Sequence, residues 1–139
     1  DFKGKKVLDM GTGTGILAIL AQQLGATEID AIDNFEWAVE NTAENADRNN
    51  ADKVKAEWGD AALLQGRNYD LILANINRNV LLEDMKAYVD TLASGGSILF
   101  SGFFAHDFEL IDEEARKQGL EFRHRIEEER WQCVHYQKP

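Results

Sequence analysis

Cysteine and proline are almost absent from this chain, each occurring once, as Cys133 and as the terminal Pro139. A single thiol excludes an internal disulfide and suits a reducing compartment. No apolar run approaches the ~20 residues that a membrane-spanning helix requires. The opening Asp1-Phe2-Lys3-Gly4-Lys5-Lys6 has no apolar signal-peptide core behind its charges, so a cytoplasmic location is expected. His106, His124 and His135 are scattered without metal-ligand spacing and no Cys-x-x-Cys occurs, so no metal site is expected. Basic charge is also scarce, with 15 Lys and Arg against 25 Asp and Glu, for a net charge of −10. Holding nucleic-acid phosphates irrespective of sequence needs clustered Lys and Arg, so direct nucleic-acid binding is not expected. The acidic balance favours encounter with a basic polypeptide, or serves solubility alone. Repeats, low-complexity stretches and internal linkers are missing too. The 139 residues, 44% of them hydrophobic, suit one domain with a core of its own.

Short apolar runs alternate with longer amphipathic stretches, the pattern of a parallel sheet with crossover helices. Val7-Leu8-Asp9-Met10 reads as a first buried strand. Ile16 to Leu24 follows as a helix with Ile16, Leu17, Leu20 and Leu24 on one apolar face and Gly25 as its stop. Ile29 to Asp33 is a second strand, and Phe35 to Asn49 a helix with a modest stripe of Ala38, Val39, Thr42, Ala43 and Ala46. Val54 to Trp58 is a weak strand that suits a sheet edge. Leu71-Ile72-Leu73-Ala74, the clearest apolar run, suits a central strand buried on both faces. Leu81, Met85, Tyr88, Val89 and Leu92 recur at helical spacing before a turn at Ser94-Gly95-Gly96 and a strand at Ile98-Leu99-Phe100. Asp107 is placed to cap a helix carrying Phe108, Ile111 and Ala115, which Gly119 ends. Leu120 to Ile126 and Trp131 to Tyr136 are strand-like and separated only by Glu127-Glu128-Glu129-Arg130. So short a connection cannot be a parallel crossover, and the two should pair as an antiparallel hairpin. The expected fold is a Rossmann-like α/β domain. Its seven-stranded, mostly parallel sheet carries helices on both faces and ends in a C-terminal antiparallel hairpin.

Gly11-Thr12-Gly13-Thr14-Gly15 sits between a strand and a helix, where chain reversal and close ligand approach need residues without a Cβ. Gly13, Gly15 and Ala18 also satisfy the dinucleotide pattern G-x-G-x-x-A. Asp33, twenty residues beyond Gly13, stands where a ribose-binding acid belongs. Two further acids separate the cofactors. Asp9 ends the first strand, where a carboxylate would meet the ammonium of a methionyl moiety but repel a pyrophosphate. Asp60, in Trp58-Gly59-Asp60-Ala61, would accept from an adenine amino group or simply cap a short helix. Three acids around a glycine loop suit a ligand with an amine, a ribose and an adenine. After the fourth strand, Asn75-Ile76-Asn77-Arg78-Asn79 lies where ligands collect in open α/β sheets. The Asn75 side-chain oxygen could there accept hydrogen bonds from a substrate amine, while Asn77 or Asn79 caps the next helix. Trp37, Trp58 and Trp131 read as packing residues, with Trp58 near enough to Asp60 to approach an adenine ring. The acidic run at 127–129 reads as a solvated turn, and Cys133 as buried filler.

At these residues the chain resembles a family. Val7-Leu8-Asp9-Met10-Gly11-Thr12-Gly13-Thr14-Gly15-Ile16-Leu17-Ala18 is similar to the first cofactor motif of the methyltransferases acting on large-subunit ribosomal protein eleven. Further similarities are Ala31-Ile32-Asp33, Trp37-Ala38-Val39-Glu40-Asn41, Leu73-Ala74-Asn75-Ile76 and Leu99-Phe100-Ser101-Gly102-Phe103. The first motif is common to the class I superfamily; the Ala-Asn-Ile and Ser-Gly-Phe motifs together are narrower. The resemblance implies S-adenosylmethionine as cofactor, with Asp33 on the ribose hydroxyls and Asp60 with the amide of Ala61 on adenine. It implies Asn75 in the methyl-acceptor pocket. The acceptor would be amines, lysine side chains and an α-amino group, of a basic ribosomal protein. Members of the family carry an N-terminal substrate-recognition domain, a linker and a glycine- and threonine-containing loop. None precedes Asp1, so an excised catalytic domain is expected. Asp33-Asn34 also departs from the family's usual Asp-Ile-Asp. Two other readings stay open: a fragment that holds cofactor without turnover, and a nicotinamide-dinucleotide oxidoreductase domain.

Overall fold

The computed structural model describes residues 1–129 and 131–139, with Trp131 described by its backbone alone. The elements run β1 (Lys6–Met10), α1 (Ile16–Gln23), β2 (Glu28–Asp33), α2 (Glu36–Arg48), β3 (Val54–Trp58), β4 (Tyr69–Asn75), α3 (Arg78–Thr91), β5 (Leu92–Phe104), α4 (Phe108–Lys117), β6 (Glu121–Glu128) and β7 (Trp131–Gln137). Short 3-10 turns occupy Ala61–Leu64 and Ala105–Asp107. One seven-stranded sheet has the order β3-β2-β1-β4-β5-β7-β6. β1 to β5 are parallel, and β7 runs antiparallel to both of its neighbours. β3 is therefore an edge and β4 lies at the centre, as their hydrophobicity predicts. The hairpin forms as expected, with β7 slotted between β5 and β6.

Alternation along β1 assigns the two faces. Val7 packs with Ala18 and Ala21 of α1, whereas Leu8 and Met10 join Leu81, Met85 and Tyr88 of α3 and Ile111 of α4. Ile72 on β4 is fully buried, a placement worth roughly 1.5–3 kcal/mol for a side chain of that size.

Three local expectations differ from the structure. The buried face of α1 is Ala18, Ile19 and Ala21, while Ile16, at 70% exposure, and Leu20 and Leu24 face outward. The small alanines bring the helix close to β1 and β2, so steric fit overrides the larger hydrophobicity of the leucines. The Ser94-Gly95-Gly96 turn is instead a break in register inside β5, where Tyr69 pairs with Leu92 but Leu71 pairs with Ser97. The extra residues bond to the C-terminal chain, Gly95 N donating to Lys138 O and Lys138 N to Gly96 O. Asp107 does not cap α4 through its side chain; it receives a 3.0 Å bond from Arg78 Nη1.

Candidate cofactor-binding cleft

The carboxyl ends of β1 to β4 open into one cleft of about 440 Å3. Such a position, beyond the strand ends of an open parallel sheet, is where α/β folds hold ligands. The glycine loop forms one side. Its first residue, Gly11, has φ +79°, and a Cβ there would stand 2.9 Å from Ile76 Cγ2 and 3.3 Å from Asn75 O. Glycine thus lets the loop press against the end of β4. At Gly15 a Cβ would meet Thr42 Cγ2 at 2.7 Å, so α2 packs against the loop. α2 also fastens it: Thr42 Oγ1 donates to Gly13 O at 3.1 Å and Asn45 Nδ2 to Thr14 O at 2.9 Å. Nothing stands within 4 Å of a Cβ built on Gly13, whose φ is +60°, which leaves open space over the middle of the loop.

Asp33 ends β2 and lines the cleft while largely buried. Its Oδ2 accepts from Gly13 N at 2.9 Å and its Oδ1 from Phe35 N at 3.0 Å. Each carboxylate oxygen has two lone-pair sites, so both keep capacity for a further donor. Asp60 follows β3 and is exposed to the cleft. Its Oδ1 accepts from Ala62 N at 2.9 Å, so the capping role weighed from the sequence is realised. Ala61 opens the same 3-10 turn, with its side chain against the core.

Asp9 differs. It is 1% exposed and lies beneath the loop, on the α1 face of β1, outside the cleft lining. Its Oδ2 accepts from Thr12 Oγ1 at 2.8 Å, and the carboxylate also meets the Ala18 backbone N–H in the first turn of α1. Oδ1 is buried with no hydrogen-bond partner among the described residues. Asp30, also buried, has Tyr69 Oη at 2.6 Å and Arg67 Nη1 at 3.3 Å. The half-satisfied carboxyl of Asp9 is pushed up to about 6, chiefly by burial and slightly by Asp33, against the opposing hydrogen bonds.

Asn75 is the last residue of β4 and lines the cleft. Its Oδ1 accepts a long 3.3 Å bond from Ser101 Oγ of β5. Asn77 caps α3, accepting from Val80 N at 3.1 Å, which is the helix-capping role expected of it or of Asn79. Sequence reasoning missed several of the cleft's residues. Val80, Asp84 and Tyr88 line it from one stripe of α3, with Asp84 unassigned and Tyr88 read as core alone. Their i, i+4, i+8 spacing was the available signal. Trp37 and Trp58, expected to pack, are 55% and 64% exposed; Trp37 lines the cleft, and Trp58 Nε1 donates to Asn34 O. The Trp131 side chain lies outside the described residues. Cys133 is half-buried in β7, and burial raises its thiol.

The charged residues lining the cleft are three carboxylates, Asp33, Asp60 and Asp84, with no Lys or Arg among the described residues. Phosphate ligands need the opposite sign, whereas a cation with several N–H and O–H donors matches this set. No three His, Cys, Asp or Glu among the described residues are grouped to hold a metal ion. No helix there is long and apolar enough to cross a membrane.

The family model described as ribosomal protein L11 methyltransferase (PrmA) matches residues 1–139. A ribosomal protein L11 methyltransferase of Bacteroides thetaiotaomicron is 47% identical over 137 residues, which are 98% of this chain and 49% of the relative. The crystal structure of the ribosomal protein L11 methylase from Lactobacillus delbrueckii subsp. bulgaricus superposes with a TM-score of 0.93 at 27% identity, covering 98% of this chain and 70% of that one. A putative RNA methyltransferase from Pyrococcus horikoshii shares the fold, with a TM-score of 0.85 at 21% identity over 99% of this chain and 77% of its own. The chain spans about half the length of the curated relatives it matches.

Proposed function

The chain belongs to the ribosomal protein L11 methyltransferase family, and from that membership we propose that it is the catalytic part of an S-adenosylmethionine-dependent protein methyltransferase. Its acceptors are amines of ribosomal protein L11, lysine side chains and an α-amino group. The observation that carries this reading is the all-carboxylate charge of the cleft at the ends of β1 to β4.

The residues present fit the cofactor. Asp33 accepts from the ribose hydroxyls with the lone pairs its two backbone bonds leave over. Asp60 accepts from the adenine amino group with the oxygen that does not cap the 3-10 turn, and the Ala61 amide donates to the ring. Gly11, Gly13 and Gly15 let the loop approach closely, and the unpartnered Oδ1 of Asp9 beneath them supports a role toward the ammonium of the methionyl end. Bound S-adenosylmethionine supplies an electrophilic methyl group on a sulfonium. The protein's own contribution is mainly positioning, which can account for several powers of ten in rate. Asn75, at the rim of β4, accepts N–H bonds from the incoming amine and turns its lone pair toward the methyl group. Desolvation in the cleft favours the neutral, nucleophilic amine. The net charge of −10 supports encounter with a basic protein.

Calorimetry tests the cofactor class. S-adenosylhomocysteine should bind at least tenfold more tightly than NADH, a gap of ~1.4 kcal/mol. Equal or reversed affinities would overturn the reading in favour of a nicotinamide dinucleotide.

A further inference from the structure

The cleft does not stop at Asp60. Along α3, Val80, Asp84 and Tyr88, one helical turn apart, all line its wall. Tyr88 is fully buried, yet its hydroxyl has no hydrogen-bond partner among the described residues. Leaving a buried phenol unpaired carries a desolvation penalty that a wholly apolar side chain would avoid. Burial raises the hydroxyl first, and the charges of Asp84 and Asp60 raise it further. Asp84 is itself raised, first by burial and then by the charges of Glu83 and Asp60. Two carboxylates facing one end of a cleft repel each other and lack donors, so the ligand group that suits them is one with two hydrogens on one nitrogen.

We propose that Asp84 and Tyr88 complete the purine end of the cleft, Asp84 sharing with Asp60 the two hydrogens of an exocyclic amino group and the Tyr88 hydroxyl donating to an adjoining ring nitrogen. This rests on the S-adenosylmethionine reading and deepens it. Asp84 is a specificity residue: a 6-oxo purine would present an oxygen to two carboxylates, while a 6-amino purine presents donors. Tyr88 contributes affinity, since its hydroxyl, without a partner among the described residues, gains an acceptor when the purine is bound.

The test uses the 139-residue chain and measures binding of S-adenosylhomocysteine and its 6-oxo counterpart, S-inosylhomocysteine, to the wild type, Asp84→Asn and Tyr88→Phe. The wild type should prefer the 6-amino ligand at least 100-fold. Asp84→Asn, which offers an amide N–H to a 6-oxo group, should reduce that preference at least tenfold. Tyr88→Phe should weaken S-adenosylhomocysteine about fivefold without lowering the melting temperature, because it removes an unsatisfied hydroxyl from the free protein. A role in packing alone would leave the ratio between the two ligands unmoved. Wild-type binding of S-adenosylhomocysteine with unchanged affinities and ratio in both variants would overturn the proposal while leaving the cofactor intact. Failure of the wild type to bind S-adenosylhomocysteine at all would overturn both.

Discussion

Gly102 and Asn75 are in contact across β5 and β4: a Cβ built on Gly102 would stand 2.6 Å from Asn75 Oδ1 and 3.0 Å from Ile76 N. The φ of Gly102 is +84°, a backbone region costly for any residue with a Cβ. The Ser-Gly-Phe segment of β5 therefore shapes the rim where Asn75 stands. Gly102→Ala should lower stability by ~1–3 kcal/mol, from backbone strain and displacement of Asn75. Thermal melting checks this, and an unchanged melting temperature would mean that the two strands separate at no cost.

Asn75 itself should matter for transfer and not for cofactor affinity. Asn75→Ala should leave S-adenosylhomocysteine binding within about twofold and slow methyl transfer ~100-fold, the loss expected when an acceptor is mispositioned. The transfer measurement belongs in a chain that also carries the remaining half of its relatives' length. Normal turnover with a lower melting temperature would leave Asn75 as a support for the end of β4.

Asp33 carries two roles, holding the glycine loop through Gly13 and the start of α2 through Phe35, and facing the cleft. Charge-assisted bonds to two ribose hydroxyls should contribute ~1.5–3 kcal/mol. Asp33→Ala should therefore weaken S-adenosylhomocysteine at least tenfold in a protein that still folds. Circular dichroism and calorimetry on the same sample separate the two effects, and unchanged affinity would move the ribose contact elsewhere.

Asp9 links pH to both stability and binding. Its carboxyl rises from the ordinary 3.8 to about 6 on folding. The contribution of Asp9 to stability is therefore fully present below pH ~4 and is lost as the pH rises to ~6, by about 3 kcal/mol at ~1.4 kcal/mol per pH unit. Asp9→Asn removes that penalty. The variant should melt above the wild type at pH 8 and close to it at pH 4. If the charged Asp9 meets the cofactor's ammonium, wild-type affinity for S-adenosylhomocysteine should increase from pH 5 to 7. The Asn variant should be weaker at pH 8 and nearly independent of pH. Parallel pH profiles for the two proteins would remove Asp9 from the binding site.

Local chemistry made much of this protein legible in its residue order. The run Leu71-Ile72-Leu73-Ala74 can be satisfied only where both faces are covered, so its central position follows from composition. Gly11, Gly13 and Gly15, with Asp33 twenty residues beyond Gly13, mark a loop and an acid whose spacing follows from one strand-helix-strand unit. The four residues 127–130 exclude a crossover, which makes the last two strands a hairpin. Each of these is a constraint between near neighbours in the chain. The remainder depends on which surfaces meet through space. Periodicity chose the leucine face of α1, but close approach to β1 and β2 selected the alanine face. Residue order gave no sign that β7 would enter between β5 and β6. Nor could it say that Asp30 would find Arg67 and Tyr69 while one oxygen of Asp9 would find no partner among the described residues. Tyr88 has the spacing of a core residue and is one, yet it also lines the cleft, beside acids that β2 and the end of β3 bring from elsewhere in the chain. Burial and hydrogen-bond satisfaction are settled by the whole packed assembly, and no local pattern carries that information.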